Sequence, residues 1–490
     1  MRDHLVFYVN GRRQTAGAEQ ALLTLTEYLR RACRLTGTKV ACAEGDCGAC
    51  SVLIGRPSAD ASRLEYQSID ACIALVCQLD QTHIITTEAL QDPEGLSQVQ
   101  RQMVDCHGSQ CGYCTPGFVA AMHGIVEESR DAEALDEETL RLGLSGNLCR
   151  CTGYAQILEA GLGIDLASTT RMADRFDEQE MLKDFGALGP EGVRLETPTE
   201  ANGSPASVLR VAVPASLDQA LQLKNERPDL TVVAGATDLG VQRNHGKISP
   251  TDVMTTKGIA EMDRLEIEEG ELIIGAAVSW SRIEAFVEDR LPEYHAVLTR
   301  FGSPQIRHAG TLAGNLANAS PIADSIPMHM VCDTTLELAS VRGVRTVSLN
   351  EFYLGYKKLD LAADELIVTI RTPLPTEDQQ LKLYKISKRR DLDISTVTAA
   401  FLLTLDGDTI TDARVALGGV GPVVHRTPKA EQRLMGATLG EESLREAGEI
   451  AVKEVAPISD VRGSDRYRLQ LVQNLFVKCY HDLAQPAGAV

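Results

Sequence analysis

The chain has 490 residues, of which 44% are hydrophobic and 24% are charged, and its formal net charge is −20 at pH 7. At roughly 150 residues per domain, this length predicts about three domains, each with its own core. The acidic balance argues against nucleic acid as a partner, and no apolar run reaches the roughly 18 residues of a membrane-spanning helix. The apolar stretch Leu5–Val9 is too short for a secretory signal, so we expect a cytoplasmic protein.

Near the N-terminus the pattern predicts a strand, a turn and a helix. Apolar residues alternate over Leu5–Val9 as in a half-buried strand, and Asn10-Gly11 is a strong hairpin turn signal. Thr24 and Glu27 have the spacing of a capping box, which predicts a helix from there on. A hairpin, a helix and then a cysteine-rich loop is the order found in the β-grasp fold of plant-type ferredoxins.

Cysteine is concentrated in the first third of the chain, where eleven of the thirteen cysteines precede residue 152. A long chain without a signal peptide argues against a disulfide framework, so clustered thiols indicate metal ligands or redox groups. The first quartet is Cys42, Cys47, Cys50 and Cys72. Its spacing is that of plant-type ferredoxins, in which four thiolates hold one [2Fe–2S] cluster. Zinc is the weaker interpretation, because structural zinc sites favour closely spaced pairs over a tight triplet.

A second quartet consists of Cys111, Cys114, Cys149 and Cys151. Its surroundings have helical patterns over 115–126, 136–144 and 155–162, which disfavours a thioredoxin-like redox pair because that pair needs a βαβ context. Helix ends that present paired cysteines to one another can hold a second [2Fe–2S] cluster. From spacing alone, zinc stays open as the alternative.

Two long phrases around the second quartet carry a family resemblance. They are Gln110-Cys-Gly-Tyr-Cys-Thr-Pro-Gly117 and Gly146-Asn-Leu-Cys-Arg-Cys-Thr-Gly-Tyr154. Together with the order of the two quartets, they resemble the iron–sulfur part of the xanthine dehydrogenase family of molybdenum hydroxylases. The resemblance implies a second [2Fe–2S] cluster, with Gln110 touching a molybdenum-bound pterin. The gap of 34 residues between Cys114 and Cys149 is longer than the family pattern, and the acidic stretch 127–138 is the expected insertion.

Downstream, two loops of small residues predict a nucleotide site. A buried strand over 230–234 leads into 235–240, and a second loop over 309–315 is followed by 318–324. Such loops let backbone N–H groups converge on a phosphate. The first loop does not have the G-x-G-x-x-G fingerprint, so a Rossmann site is disfavoured.

Both loops resemble the FAD domain of the same family, which has the vanillyl-alcohol-oxidase type of flavin fold. By this resemblance, the residues that would contact FAD are Val232, Val233, Ala234, Gly235, Ala236, Thr237, Asp238, Leu239, Phe301, Thr311, Leu312, Ala313, Gly314, Asn315, Asp324, Ile367 and Lys385.

The expected fold class is therefore a multidomain α+β chain. A plant-type [2Fe–2S] ferredoxin domain is expected over 1–84 and a helical [2Fe–2S] domain over 85–165. A linker over 166–208 leads to the FAD domain over 209–376, and a C-terminal α+β lobe of the flavoprotein module follows over 377–490.

The resemblance implies an electron-transfer function. No segment is left for a molybdenum domain, so the expected protein is the small subunit of a split xanthine dehydrogenase, in a heterotetramer of two small and two large subunits. Hydroxylation of hypoxanthine or xanthine would occur on the large subunit, and no catalytic residue for it is expected here. Electrons would pass through both clusters and FAD to NAD⁺. The alternatives are the equivalent subunit of an aldehyde or N-heterocycle hydroxylase and, more remotely, a zinc-stabilised scaffold without redox chemistry.

Overall fold

The computed structural model describes residues 1–198 and 208–484, which form two compact units. The first unit contains Met1–Ala220, Asp229–Ala260 and Gly302–Gly310. The second contains Leu221–Pro228, Glu261–Phe301 and Thr311–Val490. The helix Leu217–Glu226 and the 3-10 turn Ala260–Met262 have residues in both units. None of the described helices is both long enough and apolar enough to cross a membrane.

The N-terminal part of the first unit is a five-stranded sheet in the order β2-β1-β5-β3-β4. Its strands are β1 (Leu5–Val9), β2 (Arg12–Ala16), β3 (Ser51–Pro57), β4 (Leu64–Asp70) and β5 (His83–Ile85). The β1–β2 turn has Asn10 and Gly11 at φ 51° and 76°, the left-handed pair that a tight type I′ hairpin requires. The helix Leu25–Arg31 begins at the predicted capping box, with Thr24 and Glu27 each accepting from the other's backbone N–H. The β-grasp arrangement expected from the sequence is therefore confirmed.

Strand β1 is buried on both faces, so the prediction of a half-buried strand is wrong. One face packs in a core with Leu25 and Leu29 of the following helix. On the other face, the Tyr8 ring meets Phe185 at a centroid distance of 5.7 Å. The alternation of residues in the sequence did not reveal that the second face is buried, because the residues that bury it come from a distant segment.

The residues that bury the second face of β1 belong to the segment 166–208, for which the sequence predicts a linker. The described part of this segment contains the helices Met172–Arg175 and Glu178–Ala187 and the strand β6 (Val193–Pro198). Met181 and Phe185 lie one helical turn apart and are both buried. Two apolar residues on one short helix make too weak a periodic signal to stand out among acidic neighbours. Residues 199–207 of the predicted linker lie outside the described residues.

Helices form the next layer of the first unit. They are Gln98–Asp105, Thr115–Glu128, Glu137–Gly143 and Ala155–Leu162, preceded by the short helix Ala18–Ala21 and the 3-10 turns Val76–Gln78 and Thr87–Ala89, and followed by the 3-10 turn Leu166–Ser168. Thr115–Glu128 packs on β3 and β4 and is buried along most of its length. The three helices predicted around the second quartet are confirmed, with ends shifted by up to two residues.

A four-stranded sheet in the order β6-β7-β9-β8 completes the first unit. It contains β7 (Val208–Val213), β8 (Thr231–Val233) and β9 (Asp252–Thr255), with β9 parallel to both of its neighbours. The helices Leu239–Asn244 and Pro304–Ala309 belong to the same unit.

The second unit contains two larger sheets. The first has the order β10-β11-β16-β12-β13 and is antiparallel throughout. Its strands are β10 (Leu265–Glu268), β11 (Glu271–Gly275), β12 (Thr335–Ser340), β13 (Gly343–Ser348) and β16 (Leu366–Pro373). A separate hairpin consists of β14 (Tyr353–Gly355) and β15 (Lys358–Leu359). The helices of this part are Trp280–Val287, Pro292–Leu298, Leu312–Asn318, Ile326–Val331 and Leu349–Phe352.

The C-terminal sheet, in the order β17-β18-β19-β20, is also antiparallel. It consists of β17 (Gln379–Ile386), β18 (Val397–Asp406), β19 (Thr409–Gly418) and β20 (His425–Arg426), with the helices Pro428–Leu434, Glu441–Ala451 and Asp465–Ala484. Phe401 and Phe476 meet edge to face at 4.9 Å in the shared core. The predicted α+β lobe is confirmed, and its last residues, 485–490, lie outside the described residues.

Candidate iron–sulfur and flavin sites

Strand pairing brings the first cysteine quartet together. Cys50 directly precedes β3 and Cys72 follows β4, and the antiparallel register pairs Ser51 with Asp70. The Cys50 and Cys72 thiols are therefore neighbours, and Cys42 contacts both Cys47 and Cys72. The structure thus places all four thiols of the predicted ligand set side by side.

The loop around this quartet directs backbone donors at sulfur. The N–H of Glu44 points at the Cys42 sulfur at 3.4 Å. Hydrogen bonds from the Cys47 and Cys72 thiols, followed by those from the backbone N–H groups of Glu44 and Asp46, hold the pKa of Cys42 far below its ordinary value. The same contacts with Cys42 raise the pKa values of Cys47 and Cys72. The backbone N–H groups are therefore the donors that would still stabilise sulfur charge once all four thiolates bind metal, since the thiolate is the form that binds.

The second quartet lies between two helix starts. Cys114 is the N-cap of the helix Thr115–Glu128, and Cys149 and Cys151 precede the helix Ala155–Leu162. The thiols contact one another as two pairs, Cys111 with Cys151 and Cys114 with Cys149. Cys149 is buried, whereas Cys111 and Cys151 are exposed. Gln110, the predicted pterin neighbour, is exposed beside Cys111.

Burial and hydrogen bonding act in opposite directions on the pair of Cys114 and Cys149. Burial, with a hydrogen bond to Cys149, raises the pKa of Cys114 to about 12. Burial also acts to raise the pKa of Cys149, but the Thr152 hydroxyl, 3.2 Å from its sulfur, and nearby backbone N–H groups lower it overall. The Tyr154 hydroxyl accepts from the Cys149 N–H at 2.9 Å and holds the loop in place.

Both quartets suit a two-iron cluster. Among the described residues, no group of three or more His, Cys, Asp and Glu side chains is arranged to hold a single metal ion. A [2Fe–2S] cluster does not require such a group, because its four thiolates are divided between two irons. The paired thiols and the N–H groups directed at sulfur fit that requirement.

The two quartets are joined by a direct backbone contact. The carbonyl of Cys47 accepts from the N–H of Leu148 at 3.0 Å. Cys47 belongs to the first quartet, and Leu148 directly precedes Cys149 of the second. This hydrogen bond therefore links the two cysteine loops.

The first predicted flavin segment, 232–239, lies in the first unit, where it begins within β8 and continues into the loop that follows. Ala236 has a positive φ of 61°, a strained conformation for a residue with a side chain. Within the described residues, the backbone N–H groups of Ala236, Thr237 and Asp238 have no hydrogen-bond partner. Gln78 donates to the carbonyl of Ala234 at 2.8 Å and fixes the start of the loop. Unpaired N–H groups in a loop suit a phosphate oxygen, as FAD would present.

Gly235 permits a close backbone approach. A Cβ atom at this position would overlap the carbonyl oxygen of Ala309 and the Cα of Gly310. These residues directly precede Thr311 in the chain, so the loop 232–239 packs against the segment that leads into the second predicted loop.

The second predicted segment, Thr311–Asn315, lies in the second unit. The Thr311 hydroxyl accepts from the N–H of Gly314 at 3.0 Å and caps the helix Leu312–Asn318. The side-chain carbonyl of Asn315 accepts from the Ser325 hydroxyl at 2.8 Å. Leu312 and Ala313 are buried.

Asp324 and Lys385 form a buried ion pair in the second unit. The Lys385 Nζ lies 2.5 Å from Asp324 Oδ2, and the two side chains are 3% and 7% exposed. The Ser395 hydroxyl donates to the other carboxylate oxygen at 2.5 Å. Ile367 lies buried in β16, and the Phe301 ring meets Trp280 at 4.7 Å.

Sequence reasoning missed the residues that support these sites. Ser395 and Gln78 belong to no motif, and only their contacts reveal a role. The structure also contains a cavity of about 460 Å³ in the second unit, lined in part by Lys388, Arg462 and Tyr467. Its lining includes Ile386, the neighbour of Lys385, but none of the predicted flavin contacts.

Four family models match the chain. They are a 2Fe-2S iron-sulfur cluster binding domain over 7–80, a [2Fe-2S] binding domain over 86–162, an FAD binding domain in molybdopterin dehydrogenase over 207–375 and a CO dehydrogenase flavoprotein C-terminal domain over 382–483. The chain therefore contains two [2Fe–2S] domains and an FAD-binding domain.

Curated relatives match nearly the whole chain. Xanthine dehydrogenase from Drosophila subobscura is 30% identical over 97% of this chain. Xanthine dehydrogenase from Oryza sativa subsp. japonica is 30% identical over 88% of it. The chain spans only 39% and 36% of the length of these two relatives.

Solved structures match about half of the chain. Quinoline 2-oxidoreductase from Pseudomonas putida 86 is 28% identical with a TM-score of 0.52, over 55% of this chain and 94% of the matched chain. Carbon monoxide dehydrogenase from Oligotropha carboxidovorans is 25% identical with a TM-score of 0.52, over 54% of this chain and 94% of the matched one.

A Cys50→Ser substitution tests the first quartet. We expect the variant to lose one [2Fe–2S] cluster and to keep the other cluster and FAD, because only one quartet loses a thiolate. Iron, zinc and flavin analysis with electron paramagnetic resonance measures this, and Cys33→Ser, outside both quartets, should keep both clusters. Two intact clusters in Cys50→Ser would refute the ligand assignment, and a colourless wild-type protein with zinc and no iron would support the scaffold alternative.

A Gly235→Val substitution tests the first flavin loop. The branched side chain would displace the backbone of Ala309 and Gly310, so we expect less FAD per chain and unchanged iron. Gly186→Val is the matched control, because no atom lies within 4 Å of a Cβ built there. Equal FAD content in the two variants would contradict the assignment.

A Lys385→Met substitution tests the buried ion pair. Removing one partner leaves Asp324 uncompensated, and we expect the second unit to lose about 3–5 kcal/mol of unfolding free energy. Urea unfolding followed by fluorescence reports on this unit, because Trp280 is the only tryptophan in the sequence.

The double variant Lys385→Met with Asp324→Leu separates stability from cofactor binding. Apolar replacement of both charges should restore most of the stability. FAD content should stay low if the pair contacts the flavin. Full FAD content in the stable double variant would show that the pair is structural only.

Proposed function

Because the chain belongs to the xanthine dehydrogenase family of molybdenum hydroxylases, we propose that it is the iron–sulfur and flavin part of a xanthine dehydrogenase. In this proposal it conducts electrons from a molybdenum–pterin centre on a partner subunit to NAD⁺. The observation that carries the proposal is the hydrogen bond from the N–H of Leu148 to the carbonyl of Cys47, which joins the two cysteine loops. Two cluster sites in direct contact, on one chain with an FAD-binding domain, are the parts that an electron relay requires.

The order of the relay follows from exposure. Cys111 and Cys151 are exposed, whereas no cysteine of the first quartet is: Cys42 and Cys47 are half-buried, and Cys50 and Cys72 are buried. The second quartet is therefore the one that a partner's cofactor can approach, with Gln110 beside it. We infer that electrons enter at the second quartet and reach the flavin by way of the first.

The residues of this chain would hold and orient each group. The eight cysteine thiolates would bind the irons, and the N–H groups directed at their sulfurs would tune the reduction potentials. The free N–H groups of Ala236, Thr237 and Asp238 would bind the FAD diphosphate. Asp324 keeps lone pairs for a ribityl or ribose hydroxyl beside its bonds to Lys385 and Ser395. A bound flavin supplies the exchange between single electrons and an electron pair.

A second candidate function would use the same residues. The chain could serve another molybdenum hydroxylase that acts on an aldehyde or an N-heterocycle, and the likeness to quinoline 2-oxidoreductase favours keeping it. The substrate pocket would lie on the partner in both cases, so only a substrate test separates them. We further infer a cytoplasmic heterotetramer of two small and two large subunits.

Anaerobic reduction of the complex with its partner tests both candidates. Hypoxanthine or xanthine should bleach the flavin and iron–sulfur absorbance, and NAD⁺ should restore it. In a Cys114→Ser complex the purine should no longer reduce the flavin, whereas NADH should still do so, because the flavin side is untouched. If quinoline or an aldehyde reduces the wild-type complex and purines do not, the result would overturn xanthine as the substrate and support the second candidate.

A further inference from the structure

A buried polar network in the first unit joins three distant segments. Ser51, Asn147 and Gln305 are 4%, 2% and 1% exposed. Ser51 directly follows Cys50, Asn147 is two residues before Cys149, and Gln305 lies on the helix Pro304–Ala309. The network thus contains one residue from each cysteine loop and one from the segment that matches the FAD-binding domain.

The hydrogen bonds give each side chain a fixed orientation. Asn147 Nδ2 donates to the Gly48 carbonyl at 3.1 Å and to Ser51 Oγ at 3.4 Å. Gln305 Nε2 donates to Asn147 Oδ1 at 2.8 Å and to Ser51 Oγ at 3.2 Å. Ser51 Oγ in turn donates to the Gly48 carbonyl at 2.8 Å. Both amide NH₂ groups use both hydrogens, so neither amide can rotate without breaking a bond.

The backbone around the network leaves no room for adjustment. Gly48 has a positive φ of 64°, and a Cβ there would overlap the carbonyl of Gly146. A Cβ on Gly117, in the helix that begins after Cys114, would overlap the carbonyl of Gly48. The loop of the first quartet therefore touches the supports of the second on two sides, and the Asn147 and Gln305 amides lie at this junction.

We propose that Asn147 and Gln305 are positioning residues that hold the two cluster loops at one separation and orientation, and thereby set the rate of electron transfer between the clusters. Electron transfer between fixed centres falls steeply with distance, so a small displacement of either loop changes the rate. Groups that do not touch a metal commonly control it in this way, by orienting the loops that do. The proposal rests on the proposed relay function, and it gives the flavin-domain segment a part in coupling the two clusters.

The test uses the full chain carrying both clusters, with Gln305→Met as the main variant. Methionine keeps the length of the side chain but donates no hydrogen bond, so the Asn147 amide loses its anchor. We expect the magnetic interaction between the two reduced clusters, seen by electron paramagnetic resonance, to change. We also expect intercluster electron transfer, followed by freeze-quenching after a photochemical one-electron pulse, to slow by about tenfold, or about 1.4 kcal/mol in barrier.

Tyr66→Phe is the matched control. It removes one buried hydrogen bond, the one between the Tyr66 hydroxyl and His83 Nδ1 at 2.9 Å, in the same unit. Both variants should lower the melting temperature by similar amounts, but only Gln305→Met should alter the magnetic interaction and the rate. If Gln305→Met does not fold, Gln305→Leu serves instead, because leucine also has no hydrogen-bond donor and adds no charge.

Two outcomes separate the proposals. An unchanged interaction and rate in the Gln305 variants, with both clusters present, would overturn the positioning role and leave the relay intact. A wild-type chain without two [2Fe–2S] clusters would overturn the relay itself.

Discussion

Antiparallel pairing of β3 with β4 is the constraint on which both cluster sites depend. Its register sets Ser51 opposite Asp70, which makes neighbours of Cys50 and Cys72 across 21 intervening residues. The same two strands form the surface on which the helix Thr115–Glu128 packs, and that helix begins at Cys114. A slip of one residue in this pairing would turn every side chain to the opposite face of the sheet. It would separate the first quartet and remove the support of the second.

The two cysteine quartets differ in how deeply their thiols are buried. In the first, Cys50 and Cys72 lie within the core of the ferredoxin sheet and Cys42 and Cys47 are half-buried, with the Glu44 N–H directed at the Cys42 sulfur. The second keeps two cysteines exposed, one half-buried and one buried, so one side is open to a partner while the other faces the first loop. The proposed relay uses this asymmetry, because electrons would enter at the exposed quartet.

The flavin segments use charge and backbone shape in place of a nucleotide fingerprint. Among the described residues, the strained Ala236 and the two residues after it have unpaired N–H groups, and a glycine at 235 admits the backbone of 309–310. In the second unit, Lys385 and Asp324 form a buried ion pair. Such a pair adds little net stability, which favours a functional reason for its presence over a structural one.

Local signals determined much of the fold: the Asn10-Gly11 turn, the Thr24 capping box and the helical periods around the second quartet all form where the sequence predicted. The spacing of the first cysteine quartet likewise indicated [2Fe–2S] chemistry, because ligand spacing in a tight loop is a local property. Tertiary structure alone decided which surfaces are covered and which distant residues meet. It showed that Glu178–Ala187 buries the second face of β1, that Ser395 completes the Asp324 pair, and that Gln305 joins the two cysteine loops. These contacts join segments up to 254 residues apart, and no periodicity or motif along a chain records which distant segments will pack together.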